Sequence, residues 1–580
     1  MDINVQKVIG DVVYTEVIPY DIRIPRIIIL TRKFNTIKDK RIVVSIDSWP
    51  TKSEYPLGHF VRVIGNQEEI KVESEVILLE HDVEIRPFSK AILDCLPDED
   101  YSIDLEDISM RRDCRSYPVC SIDPIGCKDI DDALHCRKLP NGNIEIGVHI
   151  ADVSHYVKPG TALDREAAKR CTTVYLVERR TDMLPARLTE VLCSLVAKKE
   201  RLAFSVFWEF EQNKDKFKIV NTSFSKSIIK SVASLNYYEA QEILEKGIED
   251  EKAVLVESIR MMHKIVKFLK MQRDENGALT LASTEIRFTL SEETHNPVDV
   301  SFYKTVDTHS IVEELMILAN ISVAAKIYKH YPAYSVLRRH PTPKLDKLND
   351  LGETVKKFGF TLKVDNSKEL NRSLDAITKL NDPFFNKLIR ILTTRTMNQA
   401  VYFCTGDYEY KDFFHYGLAT PIYTHFTSPI RRYADVLVHR LLAAALDLQS
   451  LPDEMTNRFF ITAKCNQMNK KRLMAQFAGR ASGTFNNYLL FKEKTVIEEA
   501  IITQITEDKM YGMVPRYGIE GLIDLLEEDV KFNVTKMTVK INGKKCKVFD
   551  YIMVKISSTN VESRFGVKMV YTSKERMKDV

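Results

Sequence analysis

The chain has 580 residues, a formal net charge of +3 at pH 7, 44% hydrophobic residues and 28% charged residues, enough for a large core and several domains of ordinary globular composition. No apolar run is long enough to span a membrane, and the start MDINVQKVIGDVVYTEV lacks the basic end and unbroken apolar stretch of a signal peptide. The ten cysteines form no CxxC pair, as expected of reduced thiols in a nuclear or cytosolic protein, and so small a net charge does not by itself call for a nucleic-acid partner.

Residues 19–90 predict short strands: RIPRIIILT, RIVVSIDSW and FVRVIG are β-branched and apolar, and KDK and PLG punctuate them. A small β-barrel fits this pattern. Residues 91–118 read as a polar connector. Residues 119–160 read as a hairpin in which DDALHCRKL and IEIGVHIADVSHYV are joined at Asn141-Gly142, a tight-turn pair. Residues 165–200 mix helix with the segment TTVYLVERRTDMLP, and LAFSVFWEFE and FKIVNTSFSKSII follow as strands.

From about 238 to 490 the pattern is mainly helical, interrupted by the strand-like GALTLASTEIRFTL. Val312, Leu315, Met316, Ala319 and Val323 recur at helical spacing. From about 495 short strands return, which suits a second barrel. Within it KFNVTKMTVKINGKKCK, residues 531–547, is rich in lysine and holds no acid. It reads as a solvated strand pair or, beside an OB-type pattern, as a groove contacting a phosphate backbone. No internal repeat interrupts the layout of barrel, α+β body and barrel.

The segment SIDPIGCKDIDD places Asp123, Asp129, Asp131 and Asp132 within ten residues. On an extended chain Asp129 and Asp131 point to one side, and Gly126 lets the loop fold back to bring Asp123 to them. Carboxylates so close repel unless a cation joins them, and an all-oxygen set suits a hard ion such as Mg2+ or Mn2+. The plainer reading is a solvated acidic loop. A calcium loop of EF-hand type would need a glutamate at its twelfth position and flanking helices, and neither is apparent.

In HFTSPIRRYADVLVH, Ser428 suits an N-cap and Pro429 the first helical position, which puts Arg431 and Arg432 in the first turn. Cations are unfavourable there, so two arginines point either to a bound phosphate or to pairing with Asp435. Metals and cations are most of what phosphodiester hydrolysis asks of a protein.

These motifs resemble the RNase II (RNB) family, whose hallmark is D-x5-D-x-D-D, and the blocks DIRIPRI, YPLGHFVR, GVHIADVSHYV, LRRHPTP and PRYGIEGL resemble its exosome-associated branch. The resemblance runs from about residue 18 to 575. It implies a multidomain α+β fold: a cold-shock OB-type domain over 1–100, an RNB catalytic domain over 110–490 and an OB-type RNA-binding domain over 491–580.

The activity implied is 3′-to-5′ processive hydrolysis of single-stranded RNA to nucleoside 5′-monophosphates with Mg2+ or Mn2+. Asp123, Asp129, Asp131 and Asp132 match the family's metal-binding aspartates, Asp131 the carboxylate essential to chemistry, and Arg431 the catalytic arginine, with Arg432 beside it. Tyr175 and Tyr237 match tyrosines along the RNA path, and Glu313 or Glu314 a glutamate near the terminal nucleotides, although a lone Tyr is more often core and a helical Glu solvated. His149 and His155 read as structural.

Bacterial members stack a Phe where Leu281 stands and carry a Glu near Gly479. The exosome branch begins with an endonuclease domain, so the chain is expected to lack that domain and to attach to an exosome core weakly or not at all. A metal-dependent DNase or endonuclease, and an RNA-binding scaffold on a dead nuclease fold, are the competing readings.

Overall fold

A computed structural model describes residues 2–9, 12–99, 101–246, 253–282, 286–291, 296–302, 305–380, 382–526, 529–561 and 564–573. Its first unit is a five-stranded sheet of β1 (Asp2–Ile9), β2 (Val12–Ile18), β3 (Ile27–Thr31), β4 (Lys40–Ser48) and β5 (Leu57–Asn66), ordered β1-β2-β3-β5-β4. Three register shifts between β4 and β5 curl it around Val17, Ile27, Ile29, Ile37 and Ile42. Helix α1 (Ile70–Glu80) is tied to it by a fully buried ion pair, Arg41 Nε to Glu73 at 2.8 Å.

The central unit is built on a seven-stranded sheet. Its strands are β6 (Arg112–Cys114), β7 (Cys120–Asp123), β8 (Asp132–Lys138), β9 (Ile144–Ala151), β10 (Glu200–Asn213), β11 (Lys216–Lys230) and β12 (Ala233–Asn236), ordered β12-β7-β8-β9-β10-β11-β6. The hairpin β8–β9 pairs Lys138 with Ile144 across a turn in which Gly142 takes φ +86°. All eight residues of β9 are buried, which is why IEIGVHIA scarcely alternates. The expected connector 91–118 instead contributes β6, parallel to β11. Three residues reading RDC carry no period that would announce a strand.

Helices α2 (Ala253–Glu275), α3 (Asp307–His330), α4 (Tyr433–Ala445) and α5 (Arg458–Leu490) complete the body. Every residue of α4 is buried, as its apolar circumference requires. One continuous core joins the sheet to α2, α3 and α4. In α3, Leu315, Ala319 and Val323 enter that core, whereas Val312 and Met316 face a cleft.

The last unit is a closed barrel of β13 (Val496–Ile505), β14 (Met510–Val514), β15 (Ile519–Asp524), β16 (Tyr551–Val561) and β17 (Arg564–Tyr571), ordered β13-β14-β15-β17-β16. Ile77 and Leu78 of α1, Ala478 and Phe485 of α5 and Phe565 of β17 share one apolar cluster, which locks the two end units to α5. Of the strand-like stretch GALTLASTEIRFTL only Ile286–Leu290 is a strand, and residues 283–285 lie outside the described residues. None of the ten cysteines is bonded to another.

Candidate active site

β7 ends at Asp123 and β8 begins at Asp132, so the loop between two neighbouring strands gathers the acidic residues at one edge of the sheet. Gly126, at φ +80°, reverses that loop. Ser194 Oγ accepts the Ile130 N–H at 3.1 Å, and the Asp131 carbonyl accepts the Ala151 N–H at 2.9 Å. The loop is thereby pinned with Asp131 only 5% exposed.

The segment holding the arginines reaches the same place from the far side. The helix expected to begin at Pro429 with Ser428 as its N-cap begins instead at Tyr433, with Arg432 extended at φ −138°, ψ 122°. Tertiary partners outcompete the helix. Ser428 N–H is given to Asp435 Oδ1 at 2.7 Å and Ile430 N–H to Asp131 Oδ1 at 3.0 Å, while Thr173 N–H binds the Arg431 carbonyl at 3.0 Å.

The two arginines have different fates. Arg431 Nε donates to Asp131 Oδ2 at 3.1 Å, and its side chain remains 42% exposed. Arg432 is closed onto Asp435 through Nε at 2.8 Å and Nη2 at 2.7 Å. The Asp435 pairing expected of one or both arginines is taken by Arg432 alone, and Arg431 is left at the carboxylates.

A cleft of about 680 Å³ brings together Asp123, Asp129, Asp131, Asp132, Arg431 and Arg432 with Tyr175, Tyr237 and Glu313. Glu314 is not among them. It is 3% exposed and turned to Arg273, with Nε at 3.1 and 3.0 Å and Nη2 at 2.5 Å, because one helical step on α3 moves a side chain by about 100°. Tyr175 is 48% exposed, and partial desolvation in the cleft, against the pull of the Arg431 charge, pushes its phenol up to about 12. Tyr237 stacks on His309, ring centroids 3.8 Å apart and 11° from parallel. Leu281 packs in the apolar cluster shared with the last barrel, and His149 is buried between His135 and Ser205.

The carboxylates carry the electrostatic strain of the site. Burial pushes Asp131 up to about 7 against the pull of Arg431. Burial and the neighbouring Asp129 charge bring Asp123 up to about 6. Burial and then Asp123 and Asp131 raise Asp132 well above the usual carboxylate range. Asp129 is paired with Arg180 Nη1 at 2.5 Å. Asp123 and Asp132 have no paired cation among the described residues, and Asp123 Oδ2 is buried without a hydrogen-bond partner of good geometry.

No three His, Cys, Asp or Glu side chains among the described residues are gathered as a closed ligand set, since Asp129 leans to Arg180 and Asp131 to Arg431. The donor chemistry and the uncompensated charge nevertheless fit a hard divalent cation. Burial and the Asp123 charge push the Cys127 thiol beside them up to about 12.

Sequence reasoning missed two residues. Arg180 bridges Asp129, Asp182 and Glu190, and nothing in VERRTD distinguishes it from its neighbour Arg179. Asn320, 2% exposed, accepts the Phe426 N–H at 2.7 Å and donates to Tyr423 Oη at 3.1 Å, fixing the floor of the cleft. A polar residue on the apolar stripe of α3 was its available signal.

The RNB domain family matches residues 111–448, the Dis3-like cold-shock domain 2 (CSD2) family residues 14–82, and the S1 domain family residues 496–569. The exosome complex exonuclease RRP44 of Mus musculus is 47% identical over 552 residues, which is 94% of this chain and 57% of that protein. The chain thus spans little more than half the length of that relative. The fold is similar to Mycoplasma genitalium RNase R in complex with ribose methylated single-stranded RNA, at 22% identity with a TM-score of 0.84 over 98% of this chain and 89% of that one. It is also similar to yeast Ssd1, a pseudonuclease, at 24% identity with a TM-score of 0.74 over 92% of this chain and 66% of that one.

Proposed function

The chain belongs to the RNB-domain family, and from that premise we propose that it is a 3′-to-5′ hydrolytic exoribonuclease degrading single-stranded RNA processively to nucleoside 5′-monophosphates. The observation that carries this reading is Asp131, held between the Ile430 N–H at 3.0 Å and Arg431 Nε at 3.1 Å on the wall of the cleft. Acidic loop and basic turn, 299 residues apart in the chain, meet there. A fold shared with a pseudonuclease does not distinguish an enzyme from a scaffold. The intact carboxylate and arginine set favours the enzyme.

Mg2+, with Mn2+ able to replace it, is the proposed cofactor, held by Asp123, Asp129, Asp131 and Asp132. Bound there it would supply Lewis-acid chemistry, acidifying a water and offsetting phosphate charge. Arg431 supplies a planar pair of donors to the phosphate where negative charge develops. Arg432, fixed by Asp435, holds the turn that aims it. Tyr175 and Tyr237 present rings for bases and Glu313 a carboxylate for ribose hydroxyls, which suits single-stranded RNA.

The flanking units, proposed as RNA-binding domains over 1–100 and 491–580 around a catalytic part over 110–490, would feed the strand to the cleft. An exosome core is the proposed protein partner, and the nucleus or cytoplasm the proposed location. Among the described residues no helix is long and apolar enough to cross a membrane.

The test is a time course on linear 3′-tailed RNA, circular RNA and DNA of the same sequence, with Mg2+, for the wild type and Asp131→Asn. The reading requires stepwise release of 5′-monophosphates from linear RNA alone. It also requires turnover lost in the variant with RNA binding kept. Cutting of the circle, or an active variant, would overturn it.

A further inference from the structure

Tyr237 begins the helix Tyr237–Lys246 directly after β12, whose last residue, Asn236, pairs with Asp123 at the end of β7. The tyrosine is thereby placed beside the carboxylate loop. Its backbone is fixed from two sides. Asn236 Oδ1 caps the helix by accepting the Tyr238 N–H at 2.9 Å and the Glu239 N–H at 3.0 Å. Thr308, in the first turn of α3, donates from Oγ1 to the Tyr237 carbonyl at 2.8 Å.

The residue after Thr308 holds the ring. His309 lies flat on Tyr237, with centroids 3.8 Å apart and planes 11° from parallel. Aromatic pairs ordinarily sit offset or edge-on at about 4.5–7 Å, so this pair overlaps almost fully. The imidazole is anchored on its other side, where Nδ1 accepts the Val306 N–H at 3.1 Å, one of the free donors at the start of α3. The first turn of α3 therefore grips Tyr237 twice, by its backbone through Thr308 and by its ring through His309. A plainer account makes His309 a helix cap and nothing more. A cap needs one acceptor atom, which a Gln or Glu at the same position would supply. It does not need a ring laid flat on a neighbouring tyrosine.

The wall of the cleft includes Tyr237 and, one turn beyond His309 on α3, Glu313, but not His309 itself. One face of the Tyr237 ring is thus taken, and the opposite face is left for the cleft. A tyrosine free to swing loses rotamer freedom when something stacks on it, whereas a ring already clamped from behind does not. We propose that His309 is a positioning residue, which backs Tyr237 and fixes its ring so that one preset face receives a base of the substrate strand. The proposal rests on the ribonuclease reading for the identity of what stacks there.

Two substitutions separate the ring from the cap. His309→Gln keeps an acceptor for the Val306 N–H and loses the ring, and His309→Phe keeps the ring and loses the acceptor. On single-stranded RNA with Mg2+, His309→Gln should raise KM roughly three- to tenfold with kcat unchanged, a part of what losing a whole base stack costs. Its melting temperature should hold. His309→Phe should keep the KM of the wild type and melt at a lower temperature. The dissociation constant for a short RNA in EDTA should follow KM. In protein labelled with fluorotyrosine, the Tyr237 resonance, assigned by its loss in Tyr237→Phe, should move towards that of free tyrosine in His309→Gln and stay away from it in His309→Phe.

An unaltered KM and an unmoved resonance in His309→Gln would overturn the proposal and leave His309 a cap. A KM raised as far in His309→Phe as in His309→Gln would overturn it too, since the ring alone would then not suffice. A wild type that cleaves no RNA would defeat the ribonuclease reading, while the resonance would still judge whether His309 holds Tyr237.

Discussion

Asp435 holds Arg432 through both carboxylate oxygens, Oδ2 to Nε at 2.8 Å and Oδ1 to Nη2 at 2.7 Å, and the same Oδ1 accepts the Ser428 N–H at 2.7 Å. One buried carboxylate thus ties both ends of the turn 428–432, and Arg431, which does not reach it, donates to Asp131 through Nε and to Ser428 Oγ through Nη2 at 3.0 Å. Adjacent arginines of identical chemistry are thereby given different work.

The two arginines should fail differently when changed. Arg432→Gln leaves Asp435 buried and unpaired, at a cost of about 3–5 kcal/mol in stability. Arg431→Lys keeps the charge of a half-exposed group but loses its donor fork, so stability should hold within about 1 kcal/mol while turnover falls roughly a hundredfold. Thermal melts and single-turnover rates on the same preparations check this. Equal losses of stability in both variants would remove the distinction.

Glu313 and Glu314 should separate in the same way. Glu314→Gln breaks a buried pair with Arg273 and should cost about 3 kcal/mol. Glu313 has a side chain 56% exposed at the cleft, and Glu313→Gln should leave the melt unchanged and raise KM for RNA. Denaturation curves read beside KM decide the case. A destabilised Glu313→Gln with unaltered KM would reverse the assignment.

What the sequence made legible was periodic or locally dense. The Asn141-Gly142 turn, the apolar stripe of α3 and the four aspartates between 123 and 132 each follow from spacing along a few residues. The start of α4 did not, because the N–H groups a helix would leave free at Ser428 and Ile430 are claimed by Asp435 and by Asp131, and Asp131 is 299 residues away from Ile430. Neither did the choice between Glu313 and Glu314. Both fit a helix, and only the position of Arg273 on α2 shows which of them is buried.

His439 predicts a pH dependence. Its ring is fully buried, stacks on Phe426 at 4.4 Å and donates from Nε2 to the Phe426 carbonyl at 2.9 Å. Burial, reinforced by the Lys226 charge, holds it down at about 4 against an ordinary 6.5. Between those values the unfolded chain takes up a proton that the folded chain refuses, so stability falls as pH falls from about 6.5 to about 4 and is level below. The share is about 3 kcal/mol. Denaturant unfolding at steps of pH should show a shallower fall for His439→Gln than for the wild type. Parallel curves would place the dependence on other groups.

Gly479 sets two effects of opposite sign against each other. It lies inside α5, where glycine is worth about 1 kcal/mol less than alanine. A Cβ there would sit 3.3 Å from the Tyr175 carbonyl, and the hairpin bearing Tyr175 is held to the same helix by Val177 N–H on Ser482 Oγ at 3.0 Å. Gly479→Ala should therefore shift the Tyr175 backbone by a few tenths of an ångström. The helix gain and the contact penalty should nearly cancel in stability, while KM for RNA rises roughly threefold as the ring moves. Gly483, one turn along α5 with nothing within 4 Å of its Cβ position, supplies the contrast. Gly483→Ala should gain the full helix term and leave KM alone. If both variants gain stability and neither alters KM, the close approach of α5 does not position Tyr175, and the glycine is there for packing alone.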